Sequence, residues 1–256
     1  MKESLISRTN FNRFQTVGKG TMMVGAFSPS QVERQRTDVF SQCPRQPERV
    51  PCCRPTVAFG DKGEVYVAWR KVFPGDIRDM VLATSTDGGK TFSSPVKLAD
   101  DNWQLHACPD SGPSVVNAGG RLYAAWFSEG NNKSGIRVAV SKGGGRSFSR
   151  PEIVSEHIVD ANHPQLSVSE DGRVVLAFQG RIETKSQERW NPVQAFVAAV
   201  DESGEVSTPQ ALTSTQRSAA YPFVLSASAG RVLVSWTATS GDSHEVELCR
   251  GRVIGN

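Results

Sequence analysis

From about residue 55 onward, apolar and polar residues alternate in short runs, the pattern of strands with one face buried. The runs come in pairs, and the pairs repeat. A proline-led apolar run, a glycine turn and a second run ending at Trp or Phe appear four times. They lead from Arg54-Pro55 through Gly63 to Trp69, and from Gly112-Pro113 through Gly120 to Trp126. The third and fourth lead from His163-Pro164 through Gly172 to Phe178, and from Tyr221-Pro222 through Gly230 to Trp236. Pro55, Pro113, Pro164 and Pro222 stand 58, 51 and 58 residues apart. A period near fifty built from short strands predicts a propeller.

The pattern continues past each aromatic. Third strands are predicted at Arg78–Ser85, Ile136–Ser141, Val193–Val200 and Glu245–Cys249, and fourth strands at Val96–Leu98, Pro151–Val154 and Pro209–Leu212. Gly, Asp and Ser turns join them. Arg252–Ile254 is too short for a secure outer strand in the last unit. The expected fold is all-β: a propeller of four-stranded blades, four of them clear in residues 51–256, with ring closure left open. Residues 1–50 hold at most one degenerate blade, with weak strand candidates at Thr21–Phe27 and Asp38–Phe40.

Composition narrows the function classes. The chain has 256 residues, 38% hydrophobic and 21% charged, with a formal net charge of +3. These values suit a folded domain. No Lys/Arg run is long enough to track a nucleic acid, and no stretch approaches the ~20 apolar residues of a membrane helix. Met1–Asn10 lacks the apolar core of a secretory signal. With this start the expected location is cytoplasmic; a true start further upstream would allow a secreted or periplasmic protein.

Five cysteines leave three readings open. Cys53 stands two residues before one repeat proline and Cys108 five before the next, which would bring Cys53 (or Cys52) and Cys108 to adjacent points of one rim and allow a disulfide. Reduced thiols are the plainest alternative. A soft metal site of Cys43, Cys52, Cys53, His106 and Cys108 is the third, although no pair has C-x2-C spacing. The expectation adopted is a Cys53–Cys108 bridge, with no metal and no cofactor.

One turn carries a family signature. Ser85-Thr-Asp87-Gly-Gly89-Lys-Thr91-Phe92 matches the pattern Ser-x-Asp-x-Gly-x-Thr-Trp, with Phe in the last place. Asp87 is expected to accept backbone N–H groups, and Phe92 to fold under the blade as an anchor. A second copy, Ser141-Lys-Gly143-Gly-Gly145-Arg-Ser147-Phe148, has Gly143 where the first has Asp. On these two turns the chain resembles the sialidase (neuraminidase) superfamily of BNR/Asp-box propellers. The resemblance covers about residues 50–250 and implies that the box residues are structural.

It also implies a chemistry. Enzymes of that superfamily hydrolyse terminal sialic acid from glycans without a cofactor, using three arginines on the substrate carboxylate, a Tyr nucleophile activated by a Glu, and an Asp acid/base. Their early Phe/Tyr-Arg-Ile-Pro motif has no counterpart here; Arg54-Pro55 keeps only the arginine and proline. Candidates therefore come from repeat geometry. The residues before the repeat prolines, Arg54, Gly112, His163 and Tyr221, with Asp110, Asp160, Asn162 and Arg217 close behind, should gather at the channel mouth. Tyr221 is the candidate nucleophile, with Glu183 or Glu188 as its carboxylate, and Arg54 and Arg217 as clamps. Asp110, His163, Arg78, Asp76 and Trp190 are candidate substrate-binding residues, and Trp103 is a second candidate for stacking on a sugar. Each has a plainer role as packing, ion pair or structural hydrogen bond, whereas Tyr66 and Tyr123 alternate with core residues and read as packing. Two function classes remain: a glycoside hydrolase acting on sialosides or related acidic glycans, and a non-catalytic or remnant propeller binding glycan or protein. The oligomeric state is not legible.

Overall fold

In a computed structural model, residues 53–154, 157–182 and 191–252 are described. Among these residues fifteen strands form four antiparallel sheets in strict chain order. The first contains β1 (Thr56–Phe59), β2 (Val65–Phe73), β3 (Ile77–Ser85) and β4 (Val96–Lys97). The second contains β5 (Ser114–Ala118), β6 (Arg121–Ser128), β7 (Gly135–Ser141) and β8 (Glu152–Ile153). The third contains β9 (Ile158–Val168), β10 (Val174–Ile182), β11 (Gln194–Val200) and β12 (Gln210–Ala211). The fourth has three strands among the described residues: β13 (Ser218–Ser226), β14 (Arg231–Ser240) and β15 (Ser243–Arg252). The only helical pieces among these residues are two three-residue 3-10 turns, so no helix there is long and apolar enough to cross a membrane.

The sheets are blades set side by side. Their first strands line up in sequence, β1 against β5, β5 against β9 and β9 against β13. Serine hydroxyls stitch neighbours together: Ser114 Oγ accepts the Leu166 N–H at 2.9 Å, and Ser167 Oγ accepts the Ser226 N–H at 2.7 Å. Each junction buries its own apolar layer. Ala58, Tyr66, Met80 and Leu82 of blade one meet Val115, Leu122 and Trp126 of blade two. Tyr123, Phe127 and Ile136 meet Leu166, Leu176 and Phe178 at the next junction, and Val175 and Val197 meet Val224, Val234 and Trp236 at the last. Burying each large side chain stabilises by about 1.5–3 kcal/mol before entropy is counted.

Position in the array explains the strand sequences. β7 and β10 lie in middle blades, have both faces covered and are apolar almost throughout, whereas β2 and β13 alternate. The faces at the two ends of the array carry exposed apolar side chains: Val57 and Phe59 on β1, and Phe223, Leu225, Val246 and Leu248 on blade four. The array is an all-β propeller of four described blades.

In an antiparallel meander, the start of the first strand and the turn between the second and third lie at one end; the turn between the third and fourth lies at the other. The Arg70–Asp79 segment therefore shares an end with the pre-proline residues. The Asp-box turns occupy the opposite end. Tyr66 and Tyr123 are buried as expected. Phe92 departs from expectation: its ring is 44% exposed instead of folded under the blade, while Phe148 of the second turn packs against the core. The hydrogen bonds of Ser85 and Asp87 close the first turn without the ring, and Phe92 lines the groove that also contains Lys142 and Arg146.

Candidate functional site

Four pre-proline segments converge at one end. Gly112 approaches the Arg54 carbonyl so closely that a Cβ there would stand 2.0 Å from its oxygen, so only glycine fits. Next to it, Ser111 Oγ accepts the His163 N–H at 3.1 Å. The His163 ring meets the Tyr221 ring edge-on, centroids 4.8 Å apart. Gln179 Oε1 accepts the Tyr221 N–H at 2.6 Å. The chain of contacts thus runs from Arg54 through Gly112, Ser111 and His163 to Tyr221, one blade after another.

In blades three and four the pre-proline residues are not strand starts. β9 and β13 begin several residues earlier, and a bulge interrupts each: the ladder passes from Gln179↔Asn162 to Ala177↔Gln165, and from Ala220↔Thr237 to Phe223↔Ser235. At each bulge two residues oppose one: His163-Pro164 face Phe178, and Tyr221-Pro222 face Trp236. Both His163 and Tyr221 have φ of 53°, and Asp110 and Asp160 are also left-handed, at 45° and 53°. Left-handed backbone is unusual for Tyr and His, and costs of order 1–3 kcal/mol. Bulges re-aim side chains, and they concentrate next to functional sites. Here the bulge turns Tyr221 outward, 56% exposed.

His163 is half-buried. Its Nδ1 lies 2.5 Å from Asn162 Oδ1, and its Nε2 is buried with no hydrogen-bond partner among the described residues. Burial lowers its pKa, opposed by the nearby Asp110 carboxylate and reinforced by Arg54. The neutral imidazole is therefore the favoured form near neutrality. Arg54 and Asp110 are exposed beside it. Asp160 forms an ion pair with Arg181, whose Nε also donates to the Asn191 carbonyl.

Other predicted residues are held elsewhere. Arg217 is engaged by Glu247 at 2.7 Å and Glu245 at 3.1 Å, and Glu247 also accepts the Trp236 indole N–H at 3.0 Å. Asp76 and Arg78 are both held by the segment that follows blade one. Asp76 lies 2.8 Å from His106 Nδ1, and Arg78 Nε donates to the Leu105 carbonyl, tying the β2–β3 hairpin to the crossover between blades one and two. Trp103 is buried edge-on against Phe127, 5.3 Å away, under the Arg70 guanidinium. It caps the core instead of presenting a face to a sugar. Glu183, Glu188 and Trp190 lie outside the described residues.

The Cys53–Cys108 bridge is not formed. Cys53 is a free thiol, turned inward and 5% exposed beside Arg70, while Cys108 is exposed at the surface. Cys108 is disulfide-bonded, with its partner outside the described residues.

Beneath the mouth end lies an ion network absent from the sequence reading. Asp101 accepts Arg137 Nε at 2.9 Å and the Trp126 indole N–H at 2.7 Å, with both charged side chains less than 5% exposed. Arg70 donates to the carbonyls of Arg78, Ser111 and Phe127, and Asp79 pairs with Lys97 at 2.9 Å. The roles of Ser111 and Gln179 were also missed. A signal existed: Arg70 and Gln179 each follow the blade's aromatic, and are polar where the strand pattern expects burial.

Neither any protein-family model nor any curated protein sequence matches the chain. Solved structures do. One is a protein of unknown function from Dyadobacter fermentans, at 17% identity and a TM-score of 0.56 over 80% of this chain and 66% of that one. Another is the Penicillium chrysogenum alpha-L-arabinanase in complex with arabinobiose, at 13% identity and a TM-score of 0.53 over 77% and 61%. A Hadza microbial sialidase aligns at 16% identity and a TM-score of 0.51 over 77% of this chain and 44% of its own. The chain thus spans less than two thirds of the length of each. At such identities the likeness is one of fold, and the fold is the propeller that this sialidase and this arabinanase share.

Proposed function

We propose that the chain is a sialidase-like propeller whose working surface is the mouth formed by Arg54, Asp110, His163 and Tyr221, and that its ligand is a sialoside or a related acidic glycan. The observation that carries this reading is the Tyr221–His163 pair, an exposed phenol ring set edge-on against a half-buried imidazole, both on strained bulges of successive blades. A strained backbone around an exposed ring favours a role in binding over one in packing. An aromatic edge beside charged and amide groups suits a sugar, which offers C–H faces and hydroxyls together. Arg54 supplies the cation for a carboxylate, and Asp110 a group able to exchange a proton. In the hydrolytic form of the proposal, the Tyr221 oxygen bonds to the anomeric carbon as the aglycone oxygen leaves with a proton. Water then cleaves that bond and returns the tyrosine. Glu188 is the carboxylate assigned to activate it.

Binding without turnover is the second reading, and one observation favours it: Arg217, the other proposed clamp, is already engaged by Glu245 and Glu247. Hydrolysis of a fluorogenic sialoside, run beside calorimetric titration with sialyllactose, separates the two. Turnover that collapses in Tyr221→Phe and Arg54→Ala establishes the hydrolase. Binding that weakens in Arg54→Ala, with no turnover in any form, establishes the binding propeller. Neither signal from the folded protein removes the mouth as a glycan site.

A further inference from the structure

The turn between β3 and β4 and the turn between β7 and β8 follow one hydrogen-bond plan. In the first, Ser85 Oγ accepts the N–H groups of Asp87 and Gly89 at 3.4 and 2.9 Å. In the second, Ser141 Oγ accepts those of Gly143 and Gly145 at 3.3 and 3.0 Å. The closing bonds also match: Ser93 N–H to the Thr84 carbonyl at 2.9 Å, and Ser149 N–H to the Val140 carbonyl at 2.8 Å. The paired glycines have similar left-handed φ, 73° and 88° in the first turn, 63° and 81° in the second.

The turns differ in one carboxylate. Asp87 Oδ1 accepts the N–H groups of Lys90 and Thr91 at 3.0 and 2.9 Å and the Ser85 hydroxyl at 2.7 Å, and Oδ2 accepts the Thr91 hydroxyl at 2.6 Å. The Thr91 hydroxyl and N–H and the Ser85 hydroxyl hold the Asp87 carboxyl well below the usual carboxylate range, so this donor set favours an anion strongly. In the second turn the corresponding donors are the N–H groups of Arg146 and Ser147 and the hydroxyls of Ser147 and Ser141. The residue in the acid's place is Gly143. Neither N–H meets an acceptor among the described residues, and a Cβ on Gly143 would find nothing within 4 Å. Lys142 and Arg146 flank the spot, and the turn lines a groove of about 760 Å³ shared with Tyr66, Thr84 and Phe92 of blade one.

We infer that the β7–β8 turn is a binding site for an external carboxylate, which takes the place that the Asp87 side chain fills in the neighbouring blade. Backbone donors fixed by a turn make an anion-binding concavity, and the two cations supply long-range attraction. The site stands at the end opposite the mouth and does not depend on the function proposed there.

The test titrates the full chain with sodium acetate against sodium chloride at matched ionic strength, following the Arg146 and Ser147 amide resonances and the melting temperature. Sodium glucuronate forms a parallel arm, separating a free carboxylate from one borne on a sugar. Saturable shifts of the two amides are expected, with a Tm rise of about 3–6 °C at ten times the half-saturating concentration. Gly143→Asp supplies the acid internally, and should raise the starting Tm and abolish the response to both anions. Ser147→Ala, which keeps the turn and removes one donor, should weaken binding several-fold. A wild-type response no larger than that to chloride, or one equal in Gly143→Asp, overturns the inference. An intact response in Ser147→Ala with unmoved amides does the same.

Discussion

Tyr221 and His163 stand on different blades yet share one contact, an edge-on meeting of rings at 75° and 4.8 Å. Each belongs to a bulge, and each is held by a donated N–H, to Gln179 and Ser111 respectively. Such a contact locks two strained loops together across a blade junction. Tyr221→Asn, which tolerates left-handed backbone, is expected to leave stability in urea within about 1 kcal/mol of wild type. Glycan binding should be lost with the ring. A large loss of stability would instead make the ring a packing element.

His163 gives the mouth a pH response. Its folded-state pKa lies below that of the unfolded chain because burial penalises the imidazolium. The contribution to stability is thus complete above the ordinary histidine pKa of about 6.5, and fades as pH falls below it. Denaturant midpoints measured from pH 7.5 to 5 should fall for the wild type more steeply than for His163→Asn.

Asp101 is the keystone of the buried ions. Asp101→Asn leaves the Arg137 guanidinium without its counter-charge, an effect expected to cost about 3–5 kcal/mol. Chemical denaturation reads it directly. Trp126→Phe removes the neutral donor to the same carboxylate and one ring of a fully buried indole, but leaves the ion pair in place, and should cost less, about 1–3 kcal/mol.

Gly112→Ala tests the close approach of blades one and two. A methyl 2.0 Å from the Arg54 carbonyl oxygen forces the strand starts apart, with an expected loss of at least about 2 kcal/mol. Weakened ligand binding at the mouth should accompany the change, since Arg54 moves with its backbone.

The Asp87 turn should fail in acid. Its carboxyl pKa is lowered on folding, so its stabilisation is present above the unfolded value near 4 and is lost as pH drops through the folded one. Asp87→Asn should therefore melt below the wild type at pH 7, and the gap should narrow by pH 3.

Most of the architecture was legible because blade strands repeat in register with prolines and glycines that have local causes. The four sheets, the buried Tyr66 and Tyr123 and the Asp87 turn follow from period and turn chemistry alone. The mouth was legible only as positions. That His163 and Tyr221 touch depends on bulges, and a bulge is set by long-range pairing with β10 and β14. Repeat spacing brought Cys53 and Cys108 to one rim, but side-chain direction put one inside and the other outside. Phe92 failed as an anchor for a similar reason: its turn is complete without it, and whether a ring inserts depends on the neighbouring strand. Arg217 looked available because its partners, Glu245 and Glu247, come from a strand thirty residues later.

All the buried charged side chains among the described residues, Arg70, Asp79, Asp101 and Arg137, belong to blades one and two or the crossover between them. The later junctions are held mainly by hydrocarbon and hydrogen bonds, and an ion pair there, Arg121 with Glu202 between blades two and three, lies in solvent. The two kinds of cement respond differently to heat, since the desolvation penalty of ion pairs falls as temperature rises while apolar burial gains nothing further. Warming therefore favours the first half of the array over the second, and melting is expected to start at blade four and travel toward the N-terminal blades.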